Sequence, residues 1–232
     1  MAPPINPLHV LHTFSTENFH TTCDQLAATD PQLKWIISTY GYPPMWTRPN
    51  TFESLVHIIL EQQVSLASAL AALNKLREKL TKVTPEELLK LTDEELKACY
   101  FSRQKTVYAR ALASAIQQRE FVPKTMEKLP DEAVREKVIA LKGLGNWTAD
   151  IYLMFVLRRA DIFPIGDLAA VNALKKVKQL PKETAKEQLL EISGAWKPYR
   201  TVATMILWHY YLSLRVKDNS AETIKIRKAV SL

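Results

Sequence analysis

Between Leu141 and Val171, two closely spaced glycines precede a predicted helix, an arrangement suited to binding an anion. Gly143 and Gly145 bracket a hairpin too tight for side chains, where backbone N–H groups can approach a ligand closely. The next helix is predicted to begin near Trp147, and the unpaired amides at a helix N-terminus favour a phosphate. On the residues alone, Gly-x-Gly between two helices is also a common tight connection.

One carboxylate, Asp167, follows the segment Phe163-Pro164-Ile165-Gly166 at the predicted start of another helix. A carboxylate fixed in this way can stabilise a developing positive charge or deprotonate an attacking water molecule. An aspartate before an apolar run is more often only a helix N-cap, so both interpretations stay open at this point. Asp150 and Asp161 lie in a predicted buried helix and in a turn, and we interpret both as structural.

The elements that must position these residues are helices. Apolar residues repeat at helical spacing, as in Phe52, Leu55 and Ile59, and the sequence contains no alternating strand pattern, so the predicted fold class is all-α. The Pro-rich residues 1 to about 15 are predicted to dock as a tail, and the basic residues 216 to 232 to form a short terminal helix. Predicted helices span Thr16 to Ala28, Asp30 to Thr39, Thr51 to Leu60, Ser65 to Leu76, Gln104 to Arg119, 131 to 140, Trp147 to Leu157, Asp167 to Lys178, Pro181 to Ile192 and Pro198 to Leu214.

A break between two apolar helices has the sequence Glu61-Gln62-Gln63-Val64, and Ser65 after it is a predicted N-cap. Amides at such a break can be nothing more than a solvated turn. Further upstream, the segment Tyr40-Gly-Tyr-Pro-Pro-Met-Trp46 forms a rigid aromatic loop. Trp46 in this loop either plugs the core or contributes to the wall of a pocket.

The composition favours a partner of high negative charge. The formal net charge is +7 and the isoelectric point is about 9.3. Two cysteines cannot supply a four-thiolate iron–sulfur or zinc site. The N-terminus lacks signal-peptide features, and no apolar run reaches membrane-spanning length. We therefore expect a reduced, soluble, intracellular protein with no membrane contact, in the cytoplasm and nucleoid of a prokaryote or the nucleus of a eukaryote.

Two motifs together carry a resemblance to a known family. Leu141-Lys-Gly-Leu-Gly-Asn-Trp-Thr-Ala149 followed by Gly166-Asp167 resembles the helix-hairpin-helix and Gly/Pro-Asp signature of a DNA glycosylase superfamily, most closely its 3-methyladenine DNA glycosylase II branch. The resemblance extends over most of residues 30 to 215. It implies a single unit of two helical lobes, one of about residues 51–146 and one of about 1–50 plus 147–232. The active-site cleft would lie between the lobes.

The resemblance also assigns roles to individual residues. It implies that Asp167 is the catalytic carboxylate and that Gln63 wedges into the gap left by a flipped base. Glu61 replaces a glycine that many relatives have, which would put a carboxylate near the DNA phosphates. A third pocket position, usually tyrosine in the family, is Ile151 here, and the adjacent Tyr152 should face differently on a helix. The candidate DNA-binding residues are Gln62, Gln63, Ser65, Gly143, Gly145, Asn146 and Thr148, and the candidate base-pocket residues are Trp147, Trp208, Trp46 and Tyr152.

As a function, the resemblance implies a monomer that excises alkylated purines, such as 3-methyladenine and 7-methylguanine, from double-stranded DNA. Lyase members of the superfamily have a nucleophilic lysine where this chain has Trp147, so we expect a monofunctional enzyme. The indole faces of Trp147 and Trp208 would favour cationic bases. No cofactor is expected beyond a structural Na⁺ or K⁺ bound by the carbonyls of Ile139, Leu141 and Gly143. The alternatives are a bifunctional glycosylase/lyase for oxidised or mismatched bases and a non-catalytic helix-hairpin-helix DNA-binding module.

Overall fold

The computed structural model describes residues 12–218, and it confirms the all-α prediction over this range. The one β-type pairing within these residues is an isolated antiparallel bridge between Thr13 and Arg159. The helices are α1 (Phe19–Thr29), α2 (Pro31–Tyr40), α3 (Phe52–Glu61), α4 (Leu66–Lys79), α5 (Pro85–Lys90), α6 (Asp93–Ala98), α7 (Arg103–Gln117), α8 (Pro123–Met126), α9 (Asp131–Ile139), α10 (Asn146–Ile151), a π-helix (Tyr152–Val156), α11 (Leu168–Val177), α12 (Lys186–Gly194) and α13 (Arg200–Asp218).

Local sequence signals set most of the helix starts. The side chains of Asp30, Thr51, Ser65 and Asp167 each accept a hydrogen bond from a backbone N–H in the first turn of the helix that follows. Thr92 does the same for α6 and forms a complete capping box with Glu95. The structure therefore confirms the predicted helix start at Asp30 and the predicted cap at Ser65.

Two predicted helices differ from the structure. The helix predicted from Pro181 begins only at Lys186, because residues 181–184 form a separate turn in which the Thr184 N–H donates to the Pro181 carbonyl. The helix predicted from Trp147 to Leu157 begins at Asn146 and ends in the wider π-helix. The predicted docking segment is described only from residue 12, and the predicted terminal helix only through Asp218. The remainder of both predictions lies outside the described residues.

Helices α3 to α7 pack against one another, and α1, α2, α11 and α13 form a second group. Buried apolar side chains from both groups belong to one continuous hydrophobic core. The helix α10 contacts α9 and α3, so the segment after the hairpin lies against the first group. The division into lobes at about residues 50 and 146 stays a prediction. No helix within residues 12–218 is long and apolar enough to cross a membrane.

Asp30 holds α2 against the C-terminal part of the second group. One of its carboxylate oxygens accepts the N–H groups of Gln32 and Leu33 and so caps α2. The other accepts Lys178 Nζ at 2.6 Å and Trp196 Nε1 at 2.8 Å. Burial by itself would raise the pKa of Asp30, but these hydrogen bonds outweigh it and lower the pKa. The charged carboxylate is therefore the form that stabilises the fold.

We expect Asp30→Ala to lower the free energy of unfolding by about 3 kcal/mol, because it removes a helix cap, the carboxylate that pairs with Lys178 and the acceptor of Trp196. Urea titration would measure this loss. Asp24→Ala, at an exposed position on α1, is the matched control, with an expected loss below about 1 kcal/mol. Because folding lowers the pKa of Asp30, the difference between wild type and Asp30→Ala should be complete above the ordinary aspartate pKa and disappear as the pH falls through the lowered pKa. Equal losses in the two variants would contradict the assigned role.

Candidate active site

A cleft of about 1580 Å³ lies where α3, the 141–147 hairpin, α11 and α13 meet. It contains most of the residues that the sequence singled out, although they are far apart along the chain. The predicted site residues that line it are Trp46, Gln62, Gln63, Ser65, Gly143, Gly145, Trp147, Thr148, Asp167 and Trp208. Asn146 is exposed and does not line the cleft.

Asp167 both caps α11 and faces the cleft. Its Oδ1 accepts the Ala170 N–H at 2.8 Å and Trp208 Nε1 at 3.0 Å, and its Oδ2 accepts Trp147 Nε1 at 3.0 Å. The N-cap interpretation is therefore correct, and it does not exclude a role in chemistry. Since a carboxylate offers about four lone-pair positions and three are used, one remains, on Oδ2. The three hydrogen bonds together fix the orientation of the carboxylate.

The two tryptophans contact Asp167 through their N–H edges. Trp208 is 8% exposed, with its ring 5.2 Å from that of Phe155 and 6.2 Å from that of Trp46. Much of its surface is therefore covered by protein. Phe155, which sequence reasoning missed, completes this aromatic wall and comes from the π-helix. We expect both indoles to act on the carboxylate as well as on a bound base.

Tyr152 is not part of the cleft, so its predicted role as a pocket wall is wrong. It is fully buried, its hydroxyl donates to Asn50 Oδ1 at 2.9 Å, and its ring lies against Phe121. Burial raises the pKa of Tyr152 well above that of an ordinary tyrosine. Neighbouring helical residues point about 100° apart, and the residue that lines the cleft here is Ile151.

Gln62 ties the end of α3 to the hairpin. Its Nε2 donates to the Gly143 carbonyl at 3.2 Å and to Thr148 Oγ1 at 3.1 Å. Thr148 is only 1% exposed, so its side chain is used within the protein, and its predicted part in DNA binding stays a prediction. The side-chain amide of Gln62 is likewise used within the protein. Of the two adjacent amides, therefore, Gln63 is the one free to reach a ligand.

Gln63 projects from the turn between α3 and α4. Its φ of 58° lies in the left-handed region, which costs a non-glycine residue roughly 1 kcal/mol, and its side chain is exposed. Ser65 follows as the cap of α4, where its hydroxyl accepts the Ser68 N–H at 3.2 Å. The fold thus presents an exposed side-chain amide on a strained turn at the edge of the cleft.

The hairpin depends on Gly143 more than on Gly145. Gly143 has a φ of 81°, and a Cβ at this position would overlap the ring of Tyr108. A Cβ added at Gly145 would have no neighbouring atom within 4 Å, so lack of space does not explain the glycine at this position. It occupies the N-cap position of α10, which has no side-chain cap. No side chain therefore caps the backbone N–H groups at this helix start. A turn that binds phosphate requires such uncapped N–H groups.

The residues considered for a monovalent cation are partly engaged already. The Gly143 carbonyl accepts from Gln62 and the Leu141 carbonyl accepts from the Leu144 N–H at 3.1 Å. Each carbonyl keeps a second lone pair, so together with Ile139 they retain the donor atoms that Na⁺ or K⁺ would need. Within residues 12–218, no group of three or more His, Cys, Asp or Glu residues could hold a metal ion.

The other carboxylates near the motifs have structural partners, as the sequence predicted. Asp150 is 2.7 Å from a guanidinium nitrogen of Arg135, and burial raises its pKa. Asp161 accepts from Arg200 at 2.6 and 3.1 Å. Neither of the two lines the cleft.

Glu61 was predicted to approach the DNA phosphates, and this is wrong. Its side chain is 6% exposed and accepts from both terminal nitrogens of Arg48, at 2.9 and 2.5 Å. His57, one helical turn earlier, is 3.7 Å from the same carboxylate, and burial lowers its pKa to about 4. Sequence reasoning missed Arg48 and His57. Among Arg48, His57 and Glu61, the only relation visible in the sequence is the i, i+4 spacing of His57 and Glu61.

Comparison with known proteins agrees with this geometry. DNA-3-methyladenine glycosylase 1 of Schizosaccharomyces pombe is 30% identical over 190 residues, covering 79% of this chain and 83% of that protein. DNA-3-methyladenine glycosylase of Bacillus subtilis is 28% identical over 207 residues, covering 84% and 68%. The solved structure of the Schizosaccharomyces pombe 3-methyladenine DNA glycosylase in complex with abasic DNA aligns with a TM-score of 0.75 at 29% identity, over 81% of this chain and 95% of that chain.

The family model that matches spans residues 56–198, which include the Gln62-Gln63 turn, the glycine hairpin and Asp167. The chain therefore belongs to the HhH-GPD superfamily of base excision DNA repair proteins.

Proposed function

We propose that the protein is a monofunctional DNA glycosylase that removes alkylated purines from double-stranded DNA. The observation that carries the proposal is the Asp167 carboxylate, which three N–H donors hold at the edge of a cleft with aromatic walls. Its relatives named as DNA-3-methyladenine glycosylases support the same activity, and so does the net charge of +7. DNA is thus the partner.

The substrate must leave the base stack before its glycosidic bond can be reached. Extrusion costs a few kcal/mol and is easiest for damaged or mispaired bases. Gln63, exposed on its strained turn, would fill the gap in the duplex. The uncapped N–H groups at the start of α10 would hold a phosphate close by.

Asp167 would act on the sugar. As the bond between C1′ and the base lengthens, the sugar takes on oxocarbenium character, and a fixed carboxylate stabilises that charge. The free lone pair on Oδ2 would accept the proton of the water molecule that attacks C1′. Trp147 and Trp208 would hold the carboxylate in the correct orientation, because both donate to it.

The leaving base must depart without help from an acid. His57 has a pKa of about 4 and is neutral at neutral pH, and Glu61 is paired with Arg48. Neither is suited to protonating a departing base. Bases that already carry a positive charge, such as 3-methyladenine and 7-methylguanine, leave as neutral molecules and are the expected substrates.

The monofunctional assignment follows from the residue at the position where lyase members have their nucleophilic lysine. That position is Trp147, whose indole N–H donates to Asp167. Within residues 12–218, the lysine that lines the cleft is Lys105, and its amine donates to the Leu60 carbonyl at 2.6 Å. No amine is therefore placed to attack C1′ and form a Schiff base.

The remaining expectations belong to the same proposal. The protein would act as a monomer, inside the cell, where its DNA substrate is found. A Na⁺ or K⁺ ion would use the second lone pairs of the Ile139, Leu141 and Gly143 carbonyls and strengthen the attraction of the hairpin for a phosphate.

We expect Asp167→Asn to reduce base release by at least about a thousandfold, since it removes the charge that stabilises the sugar cation. Affinity for duplex containing an abasic site should change less than about threefold, because the phosphates are bound elsewhere. Release of methylated bases in single turnover and a fluorescence-anisotropy titration would measure the two quantities. Full activity in Asp167→Asn would remove Asp167 from the chemistry, and absence of base release from the wild type would favour a non-catalytic DNA-binding module.

We expect Trp208→Phe to lower excision of 3-methyladenine, 7-methylguanine and hypoxanthine by a similar factor of about ten or more. The substitution keeps an aromatic ring but removes one hydrogen bond to a charged group, which is worth roughly 1.5 to 3 kcal/mol. Trp46→Phe, a matched change in the ring that touches Trp208, should have the smaller effect, because no bond to Asp167 is lost. A selective loss of the two cationic bases would show instead that the indole face, not its N–H, limits the reaction.

We expect Gln63→Ala to lower excision from a fully paired duplex by about tenfold but from a bulge by less than about threefold, because a wedge matters only when a stacked duplex must be held open. Gln25→Ala, on the exposed side of α1, serves as the matched amide control. Equal losses on paired and bulged substrates would make Gln63 a turn residue only.

A further inference from the structure

The buried ion pair Arg48–Glu61 lies in the wall of the cleft and has no part in the proposed chemistry. Glu61 ends α3 and engages both terminal nitrogens of Arg48, with side-chain exposures of 6% for Glu61 and 18% for Arg48. A buried ion pair contributes little net stability, because desolvation offsets its attraction. Stability alone is thus a weak explanation for this pair.

Arg48 lies at the end of the aromatic wall away from Asp167. Its backbone N–H donates to the Phe155 carbonyl at 2.9 Å, and its guanidinium carbon is 5.8 Å from the centre of the Phe155 ring. Phe155 packs against Trp208, and Trp208 donates to Asp167. The aromatic wall therefore has the Asp167 carboxylate at one end, where the sugar would lie, and the Arg48 guanidinium at the other end.

The Arg48–Glu61 pair offers hydrogen-bond donors although it carries no net charge. An arginine side chain has five N–H donors and no acceptor, and Glu61 uses two of them. The other three have no partner within residues 12–218 and belong to a side chain that lines the cleft. Glu61 balances the charge of Arg48 and His57 is neutral, so a cationic base is not repelled.

We propose that Arg48 is a specificity residue that donates to the exocyclic oxygen of a flipped 6-oxopurine, and that Glu61 is the positioning residue that holds its guanidinium. The proposal rests on the proposed function, and it states which edge of the flipped base the same site recognises. Guanine derivatives carry an acceptor, O6, where adenine derivatives carry an amino donor. A guanidinium therefore favours 7-methylguanine and hypoxanthine over 3-methyladenine.

The test compares two lesions within one reaction. DNA treated with a methylating agent contains both 7-methylguanine and 3-methyladenine, so loss of DNA affinity or of folded protein affects both release rates equally. Release of each base is followed in single turnover by chromatography, and hypoxanthine in a separate duplex provides a neutral 6-oxopurine. The variant is Arg48→Met with Glu61→Gln, which removes both charges and leaves no unpaired ion buried.

Two further variants sharpen the result. Arg48→Lys keeps a cation for Glu61 but loses the planar fork of donors, and it remains informative if the double variant does not fold. Arg110→Met with Asp93→Asn is the matched control, because this second arginine–carboxylate pair lies outside the cleft, with 28% and 74% of the side chains exposed.

We expect the 7-methylguanine to 3-methyladenine rate ratio to fall about tenfold in the double variant and severalfold in Arg48→Lys, with hypoxanthine falling alongside 7-methylguanine. The control should keep the wild-type ratio. An unchanged ratio, even with both rates reduced, would overturn the proposal and make the pair structural. Wild-type protein that releases neither methylated base would overturn the proposed function itself, an outcome distinguishable from an unchanged ratio.

Discussion

The hydrogen bonding of one carboxylate governs the arrangement of this active site. Asp167 accepts from the backbone of α11, from Trp147 on α10 and from Trp208 on α13, so three helices must meet within a few ångströms of it. The three N–H donors supply hydrogen bonds that water would otherwise give, and they leave one lone pair of the carboxylate free.

The DNA-facing surface depends on a second junction, between the first group of helices and the hairpin. Gln62 bonds to Gly143 and Thr148, and the ring of Tyr108 fills the space that a side chain at position 143 would need. These contacts fix the Gln63 turn relative to the helix start that would bind a phosphate. The element that would open the duplex and the one that would anchor it therefore form a single unit.

The charged groups of the aromatic wall lie at its two ends. The ring sequence from Trp208 to Phe155 separates Asp167 from Arg48, and Glu61 neutralises Arg48. As a result the uncompensated negative charge of the wall lies at its Asp167 end, where a positively charged sugar would form. The opposite end offers hydrogen-bond donors without repelling a cationic base.

The sequence by itself determined the all-α class and several helix starts, and it indicated Asp167 as the candidate carboxylate. Helical periodicity and caps such as Asp30, Ser65 and Asp167 depend on residues within one turn of each other, and the family motif supplied the role of the carboxylate. The position of Asp167 at the start of α11 also followed, because its cap geometry is local.

Only the tertiary structure decided which side chains face the cleft. Ile151 rather than Tyr152 lines it, Gln62 turns inward while Gln63 projects, and Glu61 pairs with Arg48 instead of approaching phosphates. Each of these outcomes depends on partners separated along the chain by 13 to 102 residues. Spacing along a sequence defines the face of a helix, but the packing of other helices determines what that face meets.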